Sequence, residues 1–325
     1  MQFRTEIIPH KHTGSIHYGT PILTVGSCFA QSIGNKLKEH KFQAMINPFG
    51  IVYNPASVRR CFEYILGERT IQIDDLFLNH GVWVSFDFHG SFSGTDKEQV
   101  FKTMQDSVSE ALQFIQQTKC ILLTLGTAWV YEWKHTGQIV SNCHKVKEQE
   151  FHRYSLTQSQ ISESLNYIIQ KCRAINPTIQ FVLTVSPIRH WKDGAPENSL
   201  SKAKLLLCIH EAVEQYEGVH YFPAYELLID DLRDYRFYAP DMLHPSDTAI
   251  EYIWNKFQYS FFDDATLQLL NKVITIRKAT QHKIFNPQSD STKLFACKQL
   301  ELIAEIEHIY TGIDFGQEKQ YFEKL

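Results

Sequence analysis

Short apolar runs alternate with amphipathic stretches along most of this chain, and this alternation constrains its fold more than any other feature. The runs are PILTV (21–25), CILLTL (120–125), IQFVLTV (179–185) and VHYFPA (219–224). Helical patterns lie between or after them, roughly over 96–118, 156–174, 198–216 and 247–260. Strands that alternate with helices pair in parallel and are covered on both faces. The chain is therefore predicted to have an α/β fold, a three-layer α/β/α sandwich around a mainly parallel, doubly wound sheet.

Two segments are predicted to lie outside that sheet. Residues 71–93 contain the alternating run VWVSFDF, which indicates a hairpin or strand pair. Beyond residue 262, two helical stretches are separated by NPQSDST. The length of 325 residues allows one large domain or two modest ones. We expect a domain over residues 1–261 and a two-helix appendage over residues 262–325, packed on the same domain.

Charge, cysteine spacing and hydropathy argue against several classes of protein. A formal net charge of −4 gives no basic field for nucleic acid. The seven cysteines are scattered and the histidines lack metal-ligand spacing, so we expect reduced thiols and neither metal nor cofactor. The N-terminus has no signal-peptide core, and no apolar run approaches the roughly 18 residues that span a bilayer. We expect a cytoplasmic protein without nucleic-acid or membrane partners, and the oligomeric state stays open.

The pentapeptide GSCFA (26–30) stands where the first predicted strand passes into a helix. A side chain at such a junction lies at the carboxyl edge of the sheet, near helix N–H groups that favour negative charge. Ser27 is a candidate nucleophile there, provided a base takes its proton, and its alternative role is the helix N-cap. Cys28 is the neighbouring candidate, because a helix N-terminus can lower a thiol pKa. Neighbouring side chains diverge, so only one of the two can face a base.

The downstream segment DMLHPSD (241–247) carries a carboxylate and an imidazole three residues apart. In a turn, Asp241 can approach Nδ1 of His244, fix the ring tautomer and stabilise the imidazolium. Ser246 or Asp247 then caps a helix that anchors the turn to the core. The segment follows the last predicted strand, which suits a base that serves a nucleophile on the first strand.

Several stretches in order along residues 20–260 resemble the GSCFA family, which is grouped with the SGNH (GDSL-like) hydrolases. They are ILTVGSCFA, NPFGIVYNP, LTLGTAWVYE, TVSPIRH, the run over 198–205 and D-x-LHP. The resemblance implies a flavodoxin-like sheet sandwiched by helices, a base at His244 and its orienting carboxylate at Asp241. It also implies a serine nucleophile, which favours Ser27 over Cys28.

The resemblance further implies donors that hold an oxyanion, namely a glycine N–H and an asparagine side chain. Gly50 is the candidate glycine, and Asn47 either caps the same turn or contributes its amide. Gly126 and Thr127 open the next block, but Ala128 stands where the amide is expected. Either Thr127 substitutes for that amide or the oxyanion has fewer donors.

Two more side chains are candidates for the same edge of the sheet. Asn142 is another substitute for the missing amide. His190 follows the end of the predicted strand over 179–185. Substrate contact and simple packing are both consistent with that position.

These residues together predict a serine-dependent ester hydrolase that acts on a small-molecule or carbohydrate ester, for example a carbohydrate O-deacetylase, or an acyltransferase on the same scaffold. Ser27 would attack the acyl carbonyl while His244 takes its proton, and the N–H groups of Ser27 and Gly50 would hold the oxyanion. The alternative is a non-catalytic ligand- or carbohydrate-binding protein that keeps the fold. Ala128 motivates this alternative, since a fold does not guarantee an activity.

Overall fold

The computed structural model describes residues 4–325 and has a parallel sheet at its centre. The strands of the described residues are β1 (Ile22–Gly26), β2 (Ala44–Ile46), β3 (Leu76–Asn79), β4 (Val82–Ser85), β5 (Cys120–Leu125), β6 (Trp129–Trp133), β7 (Gln138–Val140), β8 (Phe151–Ser155), β9 (Gln180–Val185) and β10 (Val219–Tyr221). The α-helices are α1 (Cys28–Glu39), α2 (Pro55–Ile65), α3 (Lys97–Ile115), α4 (Gln158–Ile175), α5 (Gly194–Gln215), α6 (Ala224–Glu226), α7 (Asp247–Phe261), α8 (Asp264–Thr280), α9 (Asp290–Ile309) and α10 (Gly316–Phe322).

The central sheet has the strand order β10-β9-β5-β1-β2, and every neighbouring pair is parallel. Counted within this sheet alone, the order is 2-1-3-4-5, which is that of flavodoxin-like folds. The chain reverses its direction of winding between β1 and β5. Ligand sites in such sheets lie at the carboxyl ends of the strands beside this reversal. The predicted α/β class and flavodoxin-like sheet are confirmed.

Both faces of the sheet are covered, which explains why its central strands are mostly apolar. Leu23 of β1 and Leu123 of β5 pack with α2, α3, α4 and α5 on one face. Ile22 and Leu122 point to the opposite face and pack with α1 and α7. Alternate residues of a strand point to opposite faces, so two helical layers need a continuous apolar run. The result is the predicted three-layer sandwich.

Two small antiparallel sheets are added to this core. The predicted hairpin within residues 71–93 is confirmed as β3 and β4. A second sheet, of order β7-β6-β8, lies in the connection between β5 and α4. The run GQIVSN indicates one of its three strands, β7, whereas β6 and β8 were not predicted.

The C-terminal region contains three helices, α8, α9 and α10, so the predicted number of two is wrong. The third is the seven-residue α10, too short to give a clear helical period in the sequence. Leu270 of α8, Ile303 of α9 and Phe322 of α10 belong to the same buried cluster as Phe257 of α7. The C-terminal helices therefore extend the α1–α7 layer. No helix within residues 4–325 is long and apolar enough to cross a membrane.

Candidate functional site

The candidate site lies at the carboxyl ends of β1, β5 and β9, where the sheet reverses its winding. Gly26 ends β1 with a φ of +147°, and a Cβ there would meet the Thr124 carbonyl oxygen at 2.2 Å. Only glycine allows β1 to approach β5 this closely at its last residue. The chain then enters α1 at once, which places residues 27 and 28 at the sheet edge.

Cys28, His244 and Asp241 form a connected group at this edge. The Sγ of Cys28 lies 3.7 Å from Nε2 of His244. Nδ1 of the same ring lies 2.5 Å from Oδ2 of Asp241. An ionised carboxylate can only accept hydrogen bonds, so Nδ1 carries the ring proton and Nε2 is left with its lone pair towards the thiol. The predicted approach of Asp241 to His244 is present.

The turn that carries these two residues is held by its own backbone. The N–H groups of His244 and Leu243 each donate to Oδ1 of Asp241 at 2.9 Å. These two hydrogen bonds, His244 first, followed by the imidazole, lower the pKa of Asp241 to about 2. Ser246 caps α7 through the N–H of Ala249, as expected for a capping residue of that helix. Asp241 is therefore ionised over the whole physiological pH range.

The hydroxyl of Ser27 is directed away from the base. Ser27 is the N-cap of α1 and accepts a hydrogen bond from the N–H of Phe29. Its Oγ donates to Oγ of Ser186 at 3.0 Å, and the residue is 2% exposed. The structure thus brings His244 to Cys28 and does not bring it to Ser27. The reason is that Ser27 has extended backbone angles as the cap, whereas Cys28 is the first helical residue.

The Cys28 thiol is partly buried and lines a cavity. Burial raises the pKa of this thiol above its ordinary value. The thiol is therefore protonated at neutral pH, and it needs a base to become a nucleophile. Nε2 of His244 is placed to act as that base.

Two residues predicted to stabilise an oxyanion, Gly50 and Asn47, make hydrogen bonds within the protein. The N–H of Gly50 donates to the carbonyl of Asn47 at 2.7 Å. The Asn47 side chain accepts from the N–H of Gly26 at 2.9 Å and donates to Gln31. Both sets of groups are used to hold the loop after β2 against β1.

The polar groups of the segment after β5 are also hydrogen-bonded within the protein. The N–H of Gly126 donates to the carbonyl of Tyr53, and Oγ1 of Thr127 contacts Oγ of Ser201 at 3.0 Å. Ala128 is fully buried and its N–H donates to Ser201. The structure therefore places Gly126 and Thr127 at the site edge, where they are hydrogen-bonded to Tyr53 and to Ser201 of α5.

His190 lines the same cavity as Cys28. Its ring stacks on Tyr53 with centroids 5.0 Å apart, and its buried Nε2 has no hydrogen-bond partner in the described residues. A Cβ at Gly126 would lie 3.1 Å from that nitrogen, so glycine gives the ring its space. Burial, followed by the nearby Lys202 and His244, lowers the pKa of His190 to about 4. His190 is thus a neutral imidazole at physiological pH.

Lys202 is a buried residue of the site that the sequence did not single out. Its Nζ donates to the carbonyl oxygens of Gly126 and Ser186, each at 2.7 Å. These carbonyls follow β5 and β9, so the side chain ties the ends of two central strands to α5. Burial lowers the pKa of Lys202 to about 7.

A cavity of about 650 Å³ begins at Cys28 and is walled by the β6–β8 sheet. Trp129 and Tyr131 of β6 and Phe151 and Arg153 of β8 line it. Asp241 and His244 are not among its described lining residues. The dyad therefore flanks Cys28 from outside the cavity, where its side chains are 47% and 44% exposed.

Sequence reasoning missed most of these walls. Of the candidates named from the sequence, Cys28, Thr127, Asn142 and His190 line the cavity. Arg153 was not considered, although it packs over the Trp129 ring at 4.4 Å and pairs with Asp193. The alternation in WVYEW was the available signal for the strand that carries this wall.

Comparison with known proteins gives family matches over most of the chain. A model described as the GSCFA family matches residues 21–257, and one described as GSCFA domain protein, C-terminal domain, matches residues 273–325. No curated protein matches the chain. Among solved structures, a carbohydrate esterase family 3 from Talaromyces cellulolyticus matches with a TM-score of 0.37 and 8% identity, covering 78% of this chain and 98% of that one. The first family match includes Cys28, Asp241 and His244.

Proposed function

The chain belongs to the GSCFA family, and on that basis we propose that it is an SGNH-type acyl hydrolase or acyltransferase whose nucleophile is Cys28. His244 is the general base and Asp241 orients it. One observation carries the proposal, the contact of 3.7 Å between Cys28 Sγ and His244 Nε2 where Cys28 lines a cavity. The proposal departs from the predicted serine mechanism because the Ser27 hydroxyl is buried and bonded to Ser186.

In the first half of the reaction, His244 Nε2 takes the thiol proton as Cys28 Sγ attacks the carbonyl carbon of an ester. The imidazolium that forms is stabilised by the ionised Asp241. The tetrahedral intermediate then expels the alkoxide, which takes the proton back from His244. The acyl group is left on Cys28 as a thioester.

In the second half, His244 removes a proton from water or from an acceptor hydroxyl, whose oxygen attacks the thioester. The products are the acid or a new ester, and the free thiol is restored. The cycle is balanced because His244 gives back each proton that it takes.

The oxyanion formed in both halves needs hydrogen-bond donors. The N–H of Cys28, at the N-terminus of α1, is one donor that we propose. The second is the neutral ring of His190, because its pKa of about 4 keeps it uncharged. A neutral imidazole can donate to a carbonyl oxygen without carrying a charge of its own. Gly50 is omitted from this role because its N–H is bonded to Asn47.

A binding protein without turnover is the second candidate. The engaged donors of Gly50, Asn47 and Thr127 favour it, since they leave few groups for an oxyanion. Under this alternative, replacement of Cys28 by alanine leaves cellular function and ligand binding unchanged.

The test is hydrolysis of 4-nitrophenyl esters by the protein and by matched variants. Cys28→Ala and His244→Ala should each lower kcat/KM by at least about 10³-fold, since removal of one member of such a group costs about that much. Cys143→Ala is the control, because Cys143 is a second thiol of the same cavity. Equal rates in Cys28→Ala and the unaltered protein would refute the proposed nucleophile.

A further inference from the structure

The position of His244 decides on which side of Cys28 the leaving group lies. The residue that takes the thiol proton must return it to the departing oxygen, so the leaving group contacts His244. His244 and Asp241 are about half exposed and lie outside the described cavity lining. The leaving group therefore projects towards solvent, where its size is unrestricted.

The acyl group must then lie on the other side of Cys28, in the cavity. A volume of about 650 Å³ falls within the range of roughly 300–1,000 Å³ that holds drug-sized ligands. An acetyl group has two carbons and would leave most of this space without contacts. A bulky acyl group would fill it and gain the binding free energy that an acetyl group lacks.

The walls suit a ring rather than a long alkyl chain. Aromatic side chains from β6, from β8 and from the loop before α2 line the cavity, including Trp129, Phe151 and Tyr53. The two cations of the walls are already compensated, since Arg153 pairs with Asp193 and Lys192 pairs with Glu148. The cavity therefore offers aromatic contacts and hydrogen bonds, and no unpaired charge among these groups.

From these observations we infer that the substrates are esters of bulky, ring-bearing acyl groups, with the acyl part in the cavity and the alcohol part at the exposed His244 face. This inference rests on the proposed function of Cys28. It specifies the acyl group of the substrate: the protein hydrolyses or transfers an acyl group larger than the acetyl group of the predicted O-deacetylase.

The experiment compares 4-nitrophenyl acetate, octanoate and 2-naphthoate, which differ only in the acyl group. Each kcat/KM is divided by the spontaneous hydrolysis rate of the same ester, which removes intrinsic reactivity. The naphthoate should exceed the other two at least tenfold. Val146→Trp, which adds a ring to a cavity-lining residue, should remove this preference.

Ile309→Trp is the matched control, because Ile309 is 60% exposed on α9, and both variants are checked for native melting temperatures. A preference for acetate, or a preference for naphthoate that Val146→Trp leaves intact, would overturn the acyl-pocket inference and leave the proposed nucleophile standing. If none of the esters acylates Cys28, the proposed function itself fails.

Discussion

The Sγ of Cys28 faces Nε2 of His244 at 3.7 Å, while Ser27, its neighbour in the chain, points its hydroxyl to Ser186. The two side chains diverge because one belongs to the cap of α1 and the other to its first turn. This relationship divides their roles. Ser27 caps α1 at the junction of strand and helix, and Cys28 lies beside His244, the base that we propose.

Replacement of Ser27 by alanine should affect stability more than activity. The variant loses the cap of α1 and leaves Ser186 without its hydrogen bond. Loss of such a cap typically costs about 0.5–2 kcal/mol in the free energy of unfolding. Urea unfolding should show this loss, and ester hydrolysis should stay within about threefold of the unaltered protein. An activity as low as that of Cys28→Ala would restore Ser27 as the nucleophile.

Replacement of Asp241 by asparagine should lower kcat without unfolding the protein. The amide can donate a hydrogen bond to Nδ1, whereas the carboxylate can only accept one. The ring can then carry its proton on Nε2, and in that tautomer Nε2 cannot accept the thiol proton. A loss of about 10²–10⁴-fold in kcat is expected for this change. Asp234→Asn alters an exposed carboxylate of the same loop and should leave kcat unchanged. Equal kcat values for the two variants would contradict the orienting role.

Alkylation of Cys28 by iodoacetamide should accelerate with pH beyond the ordinary range of a thiol. Burial raises the pKa of this thiol above its ordinary value, so the thiolate fraction still increases at pH values where an ordinary thiol is already mostly ionised. Peptide mass spectrometry separates Cys28 from Cys297, which is exposed on α9 and serves as the internal reference. A rate for Cys28 that is already constant from pH 7 upwards would instead show a resting thiolate paired with imidazolium.

Acid should destabilise the fold through partly buried histidines. The rings of His12 and His220 have centroids 3.9 Å apart, and burial, with His12 as a second cause, lowers the pKa of His220 to about 4. The unfolded chain binds this proton near pH 6.5, whereas the folded chain binds it only near pH 4. Stability is therefore complete above pH 6.5 and falls between these two values.

The measurement is the urea midpoint at several pH values. His220→Phe should show a smaller fall between pH 6.5 and pH 4 than the unaltered protein. His135→Phe is the control, because the His135 side chain is 63% exposed. An identical fall in all three proteins would exclude a contribution from His220.

The sequence predicts the central sheet well because its physical signal is local. Strands β1, β5 and β9 are mostly apolar, and each meets a helix or loop at a glycine or serine. The Asp241–His244 pair is also predictable, since its members are three residues apart in one turn. Such features need no knowledge of distant contacts.

The nucleophile could not be chosen from the sequence alone. The choice between Ser27 and Cys28 depends on the residue at which α1 begins, and a shift of one residue turns a side chain by about 100° around a helix. The availability of the Gly50 N–H depends on a similar detail, its bond to Asn47. The cavity could not be predicted from the sequence either, because part of its wall comes from β6 and β8, which the predicted architecture did not contain.

The most direct test of the central claim is to identify the residue that carries the acyl group. The protein is mixed with 4-nitrophenyl 2-naphthoate, quenched in acid within the first turnover, digested and analysed by mass spectrometry. We expect naphthoyl mass on the peptide that contains Cys28, with fragment ions that assign it to the thiol, and no such mass in Cys28→Ala. Naphthoyl mass on Ser27, or an adduct that persists in Cys28→Ala, would contradict the assignment of Cys28 as the nucleophile.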